Sequence, residues 1–68
     1  MLEINLRDDY IKLGQAIKAA GLVENGVEAK LEITEGRVYV NGQVELQRGK
    51  KLHSGDMVEY DGETIKIV

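Results

Sequence analysis

Three segments of the chain alternate apolar and polar side chains with a period of two, the pattern typical of half-buried strands. One of them is Leu2 to Leu6. The other two are divided by dipeptides that favour tight hairpin turns, Asn41-Gly42 within Val38 to Leu46 and Asp61-Gly62 within Val58 to Ile67. The pattern therefore predicts one strand near the start of the chain and two hairpins in its second half.

Two segments with helical spacing lie between the first strand and the first hairpin. In the first of these segments the apolar positions are Leu13, Ala16, Ile17 and Ala20. Gly21 stands where a residue with positive φ commonly closes a helix, so the first helix should end near Ala20.

The second helix is predicted to begin at Asn25. The Asn25 side chain can accept a hydrogen bond from an early helical amide, while Glu28 can reach back to the amide of Asn25 itself, an arrangement known as a capping box. Gly36 should then end the helix after Glu35. The apolar positions of this helix are Val27, Ala29, Leu31 and Ile33.

The segment Tyr10 to Lys12 leaves two interpretations open. It can begin the first helix, or it can form a short strand, because Ile11 and Leu13 also fit a period of two. We favour a hairpin in which this segment pairs with Leu2 to Leu6 across the polar turn Arg7-Asp8-Asp9.

A chain of 68 residues has room for one hydrophobic core, so residues 1–68 are predicted to form a single domain. The elements predict an α+β fold in which two short helices pack on one face of a small, mostly antiparallel sheet of four to five strands. The predicted core consists of Leu2, Ile4, Leu13, Ile17, Leu22, Ala29, Ile33, Val38, Val40, Val44, Leu52, Val58, Ile65 and Ile67.

The inventory of reactive side chains excludes several classes of protein. The chain has no cysteine, which rules out disulfides, thiolate metal sites and cysteine nucleophiles. The glycines form no nucleotide-binding motif, Ser54 has no partners arranged for nucleophilic catalysis, and His53 has no second metal-binding side chain beside it. We therefore expect no enzymatic activity, no metal ion and no cofactor.

The start of the chain has no basic segment followed by an apolar run, and nowhere is there an apolar stretch of about 18 residues. These features predict a protein without a signal peptide or membrane partner, located in the cytoplasm.

The formal net charge of −3 argues at first against a nucleic-acid partner, because Lys and Arg side chains are what hold phosphate groups. The charges are segregated along the chain, however. Residues 1–29 carry a net charge of −2, residues 30–53 a net charge of +2, and residues 54–68 a net charge of −3. The middle of the chain therefore has the local excess of positive charge that favours an anionic partner.

Three motifs follow one another across the middle of the chain: NGVEAK at 25–30, EGRVYVNG at 35–42 and RGKKLHSGDMV at 48–58. Together they resemble the signature of the ribosomal protein S-four-like RNA-binding domain, also called the alpha-L RNA-binding motif. The resemblance covers about residues 13–60. The short chain and the segment YIKLGQAIK at 10–18 are most similar to the stand-alone bacterial YbcJ-like members of that family.

The resemblance implies a non-catalytic protein that binds structured RNA, with ribosomal or transfer RNA as the expected partner. We expect the protein to be a monomer. In this family, basic side chains on the second helix and the adjoining strand and loop contact the phosphate backbone. The chain departs from the family at Gly26, because the residue after the helix cap is often Arg, and one candidate phosphate contact is thereby lost. The matching basic positions are Lys30, Arg37, Arg48, Lys50 and Lys51.

Three other side chains are candidates for RNA contact. Lys12 and Lys18 lie on or beside the first helix, where they also fit the ordinary polar face of an amphipathic segment. Tyr39 alternates with core positions, so its ring should point outward and could stack on a base. Tyr10 and Tyr60 fit an apolar environment instead.

A hypothesis from a different class is a protein-interaction module of the same fold with little RNA affinity. The acidic total and Gly26 motivate it, and its acidic surface at Glu59, Asp61 and Glu63 could meet a basic partner such as a ribosomal protein. A ubiquitin-like sulfur carrier is disfavoured, because the chain ends in IKIV at 65–68 rather than in Gly-Gly.

Overall fold

The computed structural model describes all of residues 1–68 and contains two helices and seven strands. The helices are α1 (Leu13–Ala19) and α2 (Gly26–Thr34). The strands are β1 (Leu2–Ile4), β2 (Ile11–Lys12), β3 (Val38–Val40), β4 (Gln43–Val44), β5 (Lys51–Leu52), β6 (Met57–Tyr60) and β7 (Glu63–Ile67). Neither helix is long and apolar enough to cross a membrane.

Five strands form the main sheet in the order β1-β7-β6-β3-β4, and β2 and β5 form a separate two-stranded ribbon. All neighbours in the main sheet are antiparallel except β1 and β7, which run parallel. The two predicted hairpins, β3–β4 and β6–β7, are both confirmed. The two helices pack against each other and share one core with the sheet, so the predicted α+β architecture is confirmed.

The predicted hairpin between Leu2–Leu6 and Tyr10–Lys12 is wrong. Strand β1 pairs with β7, placing Leu2 opposite Ile65, and β2 pairs with β5, placing Ile11 opposite Leu52. Alternation within a strand indicates which face is buried, but it carries no information about which distant strand will be its neighbour.

The ends of the helices follow the sequence signals with one difference. The Asn25 side chain caps α2 by accepting the amide of Glu28 at 2.8 Å. The carboxylate of Glu28 accepts the amide of Glu24 at 2.9 Å, rather than the predicted amide of Asn25. Gly21 and Gly36 follow α1 and α2 with φ of 78° and 79°, which confirms both predicted ends.

Ten of the fourteen predicted core residues are buried, and Leu2, Ile4 and Leu22 are partly buried against them. Val44 was predicted to be in the core but is 50% exposed, because it lies opposite Tyr39 and therefore shares the outward face of the sheet. The buried core residues are Leu13, Ala16, Ile17, Val23, Ala29, Ile33, Val38, Val40, Leu52, Val58, Ile65 and Ile67. Of these, Ala16 and Val23 were not predicted.

The turn between β3 and β4 is tied to the loop between β5 and β6. Asn41 and Gly42 have φ of 51° and 83°, as a type I′ turn requires. The Asn41 side chain donates to Asp56 at 3.1 Å and accepts the amide of Met57 at 2.9 Å, while Asp56 accepts the amide of His53 at 2.7 Å. The backbone amide of His53, assisted by the side chain of Asn41, lowers the pKa of the Asp56 carboxyl.

Replacing Asp56 should therefore change stability in a pH-dependent way. An Asp56→Asn variant is expected to lose about 1 kcal/mol of unfolding free energy at pH 7. The carboxylate accepts two hydrogen bonds, whereas the NH2 group of Asn cannot accept one and would face one of the two donors. The difference between the parent and the variant should have its full size above the unfolded-state pKa of Asp, about 3.9. It should shrink as the pH falls through the lower folded-state pKa of Asp56, because the carboxylate is then protonated. Urea unfolding at several pH values measures the effect.

The matched control is Asp61→Asn, a change in the exposed turn between β6 and β7, where Asn also tolerates the φ of 51°. It should leave the unfolding free energy nearly unchanged at each pH. A loss at Asp56 that is the same at pH 7 and at pH 2.5 would contradict the assigned role of the carboxylate.

Candidate nucleic-acid interface

A groove of about 250 Å³ lies between α1, the start of α2 and the loop that precedes β5. Three cationic side chains from different parts of the chain, Lys12, Lys18 and Arg48, border it, and none of its lining residues is acidic. The remaining lining residues are Gly14, Gln15, Gly26 and Ala29. Because no acidic residue lines it, the groove favours an anion, although Asp8 borders a neighbouring groove with Lys18, and Asp8 and Asp9 border another with Lys12.

Backbone hydrogen bonds position Arg48 beside this groove. The first amides of a helix have no partner within the helix itself. In α1, the amide of Leu13 donates to the carbonyl of Lys50 at 2.8 Å and the amide of Gly14 donates to the carbonyl of Arg48 at 3.0 Å. A side chain at Gly14 would meet Arg48, since an added Cβ would lie 3.1 Å from Arg48 Cγ. Gly14 therefore permits the loop to lie against the helix.

The ribbon of β2 and β5 brings two more of the candidate lysines together. Lys12 lies directly opposite Lys51, and both side chains are exposed. Residues opposite each other in an antiparallel pair point to the same face, where like charges repel. Lys12, Lys18, Arg48 and Lys51 are called the basic face below.

Two other predicted contact residues lie near the basic face. Lys30 is exposed on α2, one helical turn after Gly26, which borders the groove. Lys50 is exposed in the same loop as Arg48, and its carbonyl is bound to α1. Both can add positive charge at the edge of the basic face.

Arg37 lies in a different environment from the other predicted cations. It forms an ion pair with Glu32, and Glu32 also accepts the hydroxyl of Tyr60 at 2.6 Å. The Tyr60 hydroxyl, together with Arg37, lowers the pKa of Glu32, while the pKa of Tyr60 is raised to about 12 chiefly by this hydrogen bond. The charge of Arg37 is thus balanced within the protein.

Tyr39 lies in the same region as Arg37. The two residues border a groove of about 200 Å³ together with Glu59, Asp61 and Glu63, the acidic residues of the β6–β7 hairpin. Tyr39 is 44% exposed, as its alternation predicts, but no cation of the basic face borders this groove. The structure therefore groups Lys12 and Lys18 with Arg48, and it groups Arg37 and Tyr39 with the acidic hairpin.

The aromatic side chain that does lie beside the basic face is Tyr10. The ammonium group of Lys51 is 4.9 Å from the centroid of the Tyr10 ring, and the ring of His53 is 6.2 Å away. The sequence analysis predicted an apolar environment for Tyr10, but its side chain is 38% exposed. Only the pairing of β2 with β5 reveals this position, and no local pattern indicates that pairing.

Comparison with known proteins identifies the class of this chain. It matches the S4 domain family over residues 4–68 and belongs to that family. The probable ribosome maturation protein RlbA of Bacillus subtilis (strain 168) is 39% identical over 59 residues, which cover 87% of this chain and 83% of that protein. The putative RNA-binding protein YbcJ of Escherichia coli (strain K12) is 34% identical over 59 residues, which cover 87% and 84%.

The solved structures agree with this assignment. The solution structure of YbcJ from E. coli, described as revealing an alpha-L motif involved in RNA-binding, matches with a TM-score of 0.76 at 32% identity. The match covers 100% of this chain and 87% of the YbcJ chain. The resemblance inferred from the three sequence motifs is thereby confirmed.

Substitution of Gly14 tests how the loop is anchored. A Gly14→Val variant is expected to lose about 1–3 kcal/mol of unfolding free energy, because the added side chain enters the space that Arg48 occupies. Urea unfolding measures the loss, and the amide chemical shifts of Arg48 and Lys50 should move with it.

Gly26→Val is the control, since Gly26 also lies in the first turn of a helix but an added Cβ meets nothing within 4 Å. Its unfolding free energy should change by no more than about 0.5 kcal/mol. Equal losses in the two variants would show that the contact with Arg48 is not what makes Gly14 necessary.

Proposed function

We propose that this protein binds structured RNA, without catalysing a reaction, by holding phosphate groups of the RNA backbone on the basic face. The observation that carries the proposal is the convergence of Lys12, Lys18 and Arg48 on one groove that no acidic residue borders. Phosphate contacts of this kind supply affinity and orientation, whereas helix shape and unpaired bases supply selectivity.

The names of two relatives support the same function. One is called a putative RNA-binding protein and the other a probable ribosome maturation protein. On this basis ribosomal RNA is the partner we propose first and transfer RNA second, with the protein acting as a monomer in the cytoplasm. Lys30 and Lys50 extend the contact surface in this proposal, and Arg37 contributes least because Glu32 already balances its charge.

The overall negative charge is compatible with this function, because an RNA senses mainly the charges within about a Debye length. That length is about 8 Å at physiological salt. The structure extends 26 × 22 × 18 Å, which is more than twice this length in each direction. A ligand on one face is therefore screened from most of the charges on the opposite face. Repulsion by the remaining acidic residues should orient the protein and disfavour binding through its other faces.

The salt dependence of RNA affinity tests the basic face. Each phosphate contact that is lost should reduce the slope of log K against log salt by about 0.7–0.9. We therefore expect a Lys18→Gln, Arg48→Gln double variant to lower the slope by about 1.4–1.8 and to weaken binding to ribosomal RNA fragments. Titrations between 50 and 200 mM salt measure this change.

Arg37→Gln with Lys66→Gln is the matched control, because it also removes one arginine and one lysine charge, but from residues outside the basic face. Its slope should stay close to that of the parent. If both double variants lose the same slope, net charge alone governs binding and the basic face has no special role.

Gly26 offers a test in the opposite direction. An added side chain at this position meets nothing within 4 Å, and the position borders the basic groove. A Gly26→Arg variant should bind RNA about tenfold more tightly, corresponding to about 1.4 kcal/mol, because a guanidinium can grip phosphate through two hydrogen bonds. Gly26→Ala should bind like the parent, and an unchanged affinity in Gly26→Arg would place the RNA away from the start of α2.

One observation favours a second candidate function, a protein-interaction module. Tyr39 and Val44 are exposed opposite each other on the outward face of the sheet, and Tyr39 also lies opposite Glu59. An aromatic and aliphatic pair beside acidic side chains suits a basic protein segment, such as one from a ribosomal protein. If the parent protein does not bind RNA at 50 mM salt, the protein-interaction function is favoured over RNA binding.

A further inference from the structure

The ribbon of β2 and β5 has one exposed face that carries two aromatic rings and two cations. Ile11 and Leu52 lie opposite each other and point toward the core, where Leu52 is fully buried. The residues on either side of them, Tyr10 and Lys12 around Ile11 and Lys51 and His53 around Leu52, are all exposed. The ribbon and the two residues that adjoin it therefore present four neighbouring side chains on the surface.

The two rings are neighbours without being closely stacked. The centroids of Tyr10 and His53 are 6.2 Å apart and their planes are inclined by 51°. The ammonium group of Lys51 lies over Tyr10 at 4.9 Å from its centroid. A planar ligand can therefore contact Tyr10 and the edge of His53 while its negative charge lies near Lys51 and Lys12.

We propose that Tyr10 and His53, flanked by Lys12 and Lys51, form a stacking site for one unpaired RNA base whose adjoining phosphate binds the two lysines. This inference rests on the proposed RNA-binding function and specifies which part of the RNA meets the ribbon. Aromatic side chains accept the flat face of any base, and basic side chains beside them hold the backbone of the same strand. A base within a regular helix is already stacked and cannot enter this site.

The surrounding charges determine how the strand lies on the ribbon. Asp8 and Asp9 border a groove beside Tyr10, together with Arg7, Lys12 and Gln15. These carboxylates repel phosphate groups, so the RNA backbone follows Lys51 and the side of Lys12 that faces the basic groove, while the uncharged base turns toward Tyr10. This orientation continues onto Lys18 and Arg48, which hold the neighbouring phosphates of the paired region.

Lys51 does not obstruct the site. At an exposed position the attraction between an ammonium group and an aromatic ring is weaker than the stacking of a base on that ring. The flexible side chain of Lys51 can leave the face of Tyr10 and bind the phosphate instead. The lysine thus keeps the ring covered in the free protein and releases it when RNA binds.

Tryptophan fluorescence can test the site directly, because the chain contains no tryptophan. In a Tyr10→Trp variant, the emission should be quenched by an RNA hairpin with an unpaired loop and should stay unchanged with a fully paired duplex of equal length. Tyr39→Trp is the matched control, since Tyr39 is similarly exposed but lies beside the acidic hairpin. Its emission should not respond to either RNA.

Affinity measurements with a non-aromatic variant give an independent test. Tyr10→Leu should weaken binding to the loop-containing RNA about tenfold and binding to the duplex less than twofold, while Tyr10→Phe should retain the parent affinity for both. Circular dichroism verifies that each variant is folded.

The outcomes separate this inference from the proposed function. If Tyr10→Leu binds both RNAs like the parent while Lys18→Gln with Arg48→Gln still flattens the salt slope, the stacking site is wrong and RNA binding by the basic face stands. Quenching of Tyr39→Trp in place of Tyr10→Trp also overturns the site. If the parent binds neither RNA at 50 mM salt, the proposed function and the stacking site both fail.

Discussion

The docking of the loop at 48–50 onto the first turn of α1 is the interaction on which the rest of the structure depends. Two carbonyl oxygens of the loop accept the amides of Leu13 and Gly14, which would otherwise lack partners at the start of the helix. The same contact brings Lys51 opposite Lys12 in the ribbon. These bonds fix the position of the loop relative to α1, and with it the position of Arg48 beside the groove.

Separation of charge is how a protein with a net charge of −3 can present a surface for an anionic polymer. The acidic hairpin and the basic face are built by different elements. Glu32, held by the hydroxyl of Tyr60, keeps Arg37 on the acidic side, so that one cation of the basic segment is removed from the candidate interface. The placement of charged side chains, rather than their total number, therefore determines which surface of the protein is positively charged.

The environments of Tyr10 and Tyr39 illustrate the same principle for aromatic side chains. Their exposures are similar, at 38% and 44%. One ring lies against Lys51, and the other borders a groove with three carboxylates and no cation of the basic face, so Tyr10 is the better suited of the two to a base that is joined to phosphate groups. Exposure alone therefore does not distinguish a stacking site from an ordinary surface residue.

The sequence by itself determined most features that depend on neighbouring residues, among them both helix ends at Gly21 and Gly36 and the two hairpins. It also predicted most of the core and, through three motifs, the family. Tertiary structure alone decided the parallel pairing of β1 with β7, the ribbon of β2 and β5, and the grouping of Lys12 and Lys18 with Arg48. The physical reason is that turn and cap signals act over a few residues, whereas strand partners and charge clusters arise from contacts between distant segments that alternation does not encode.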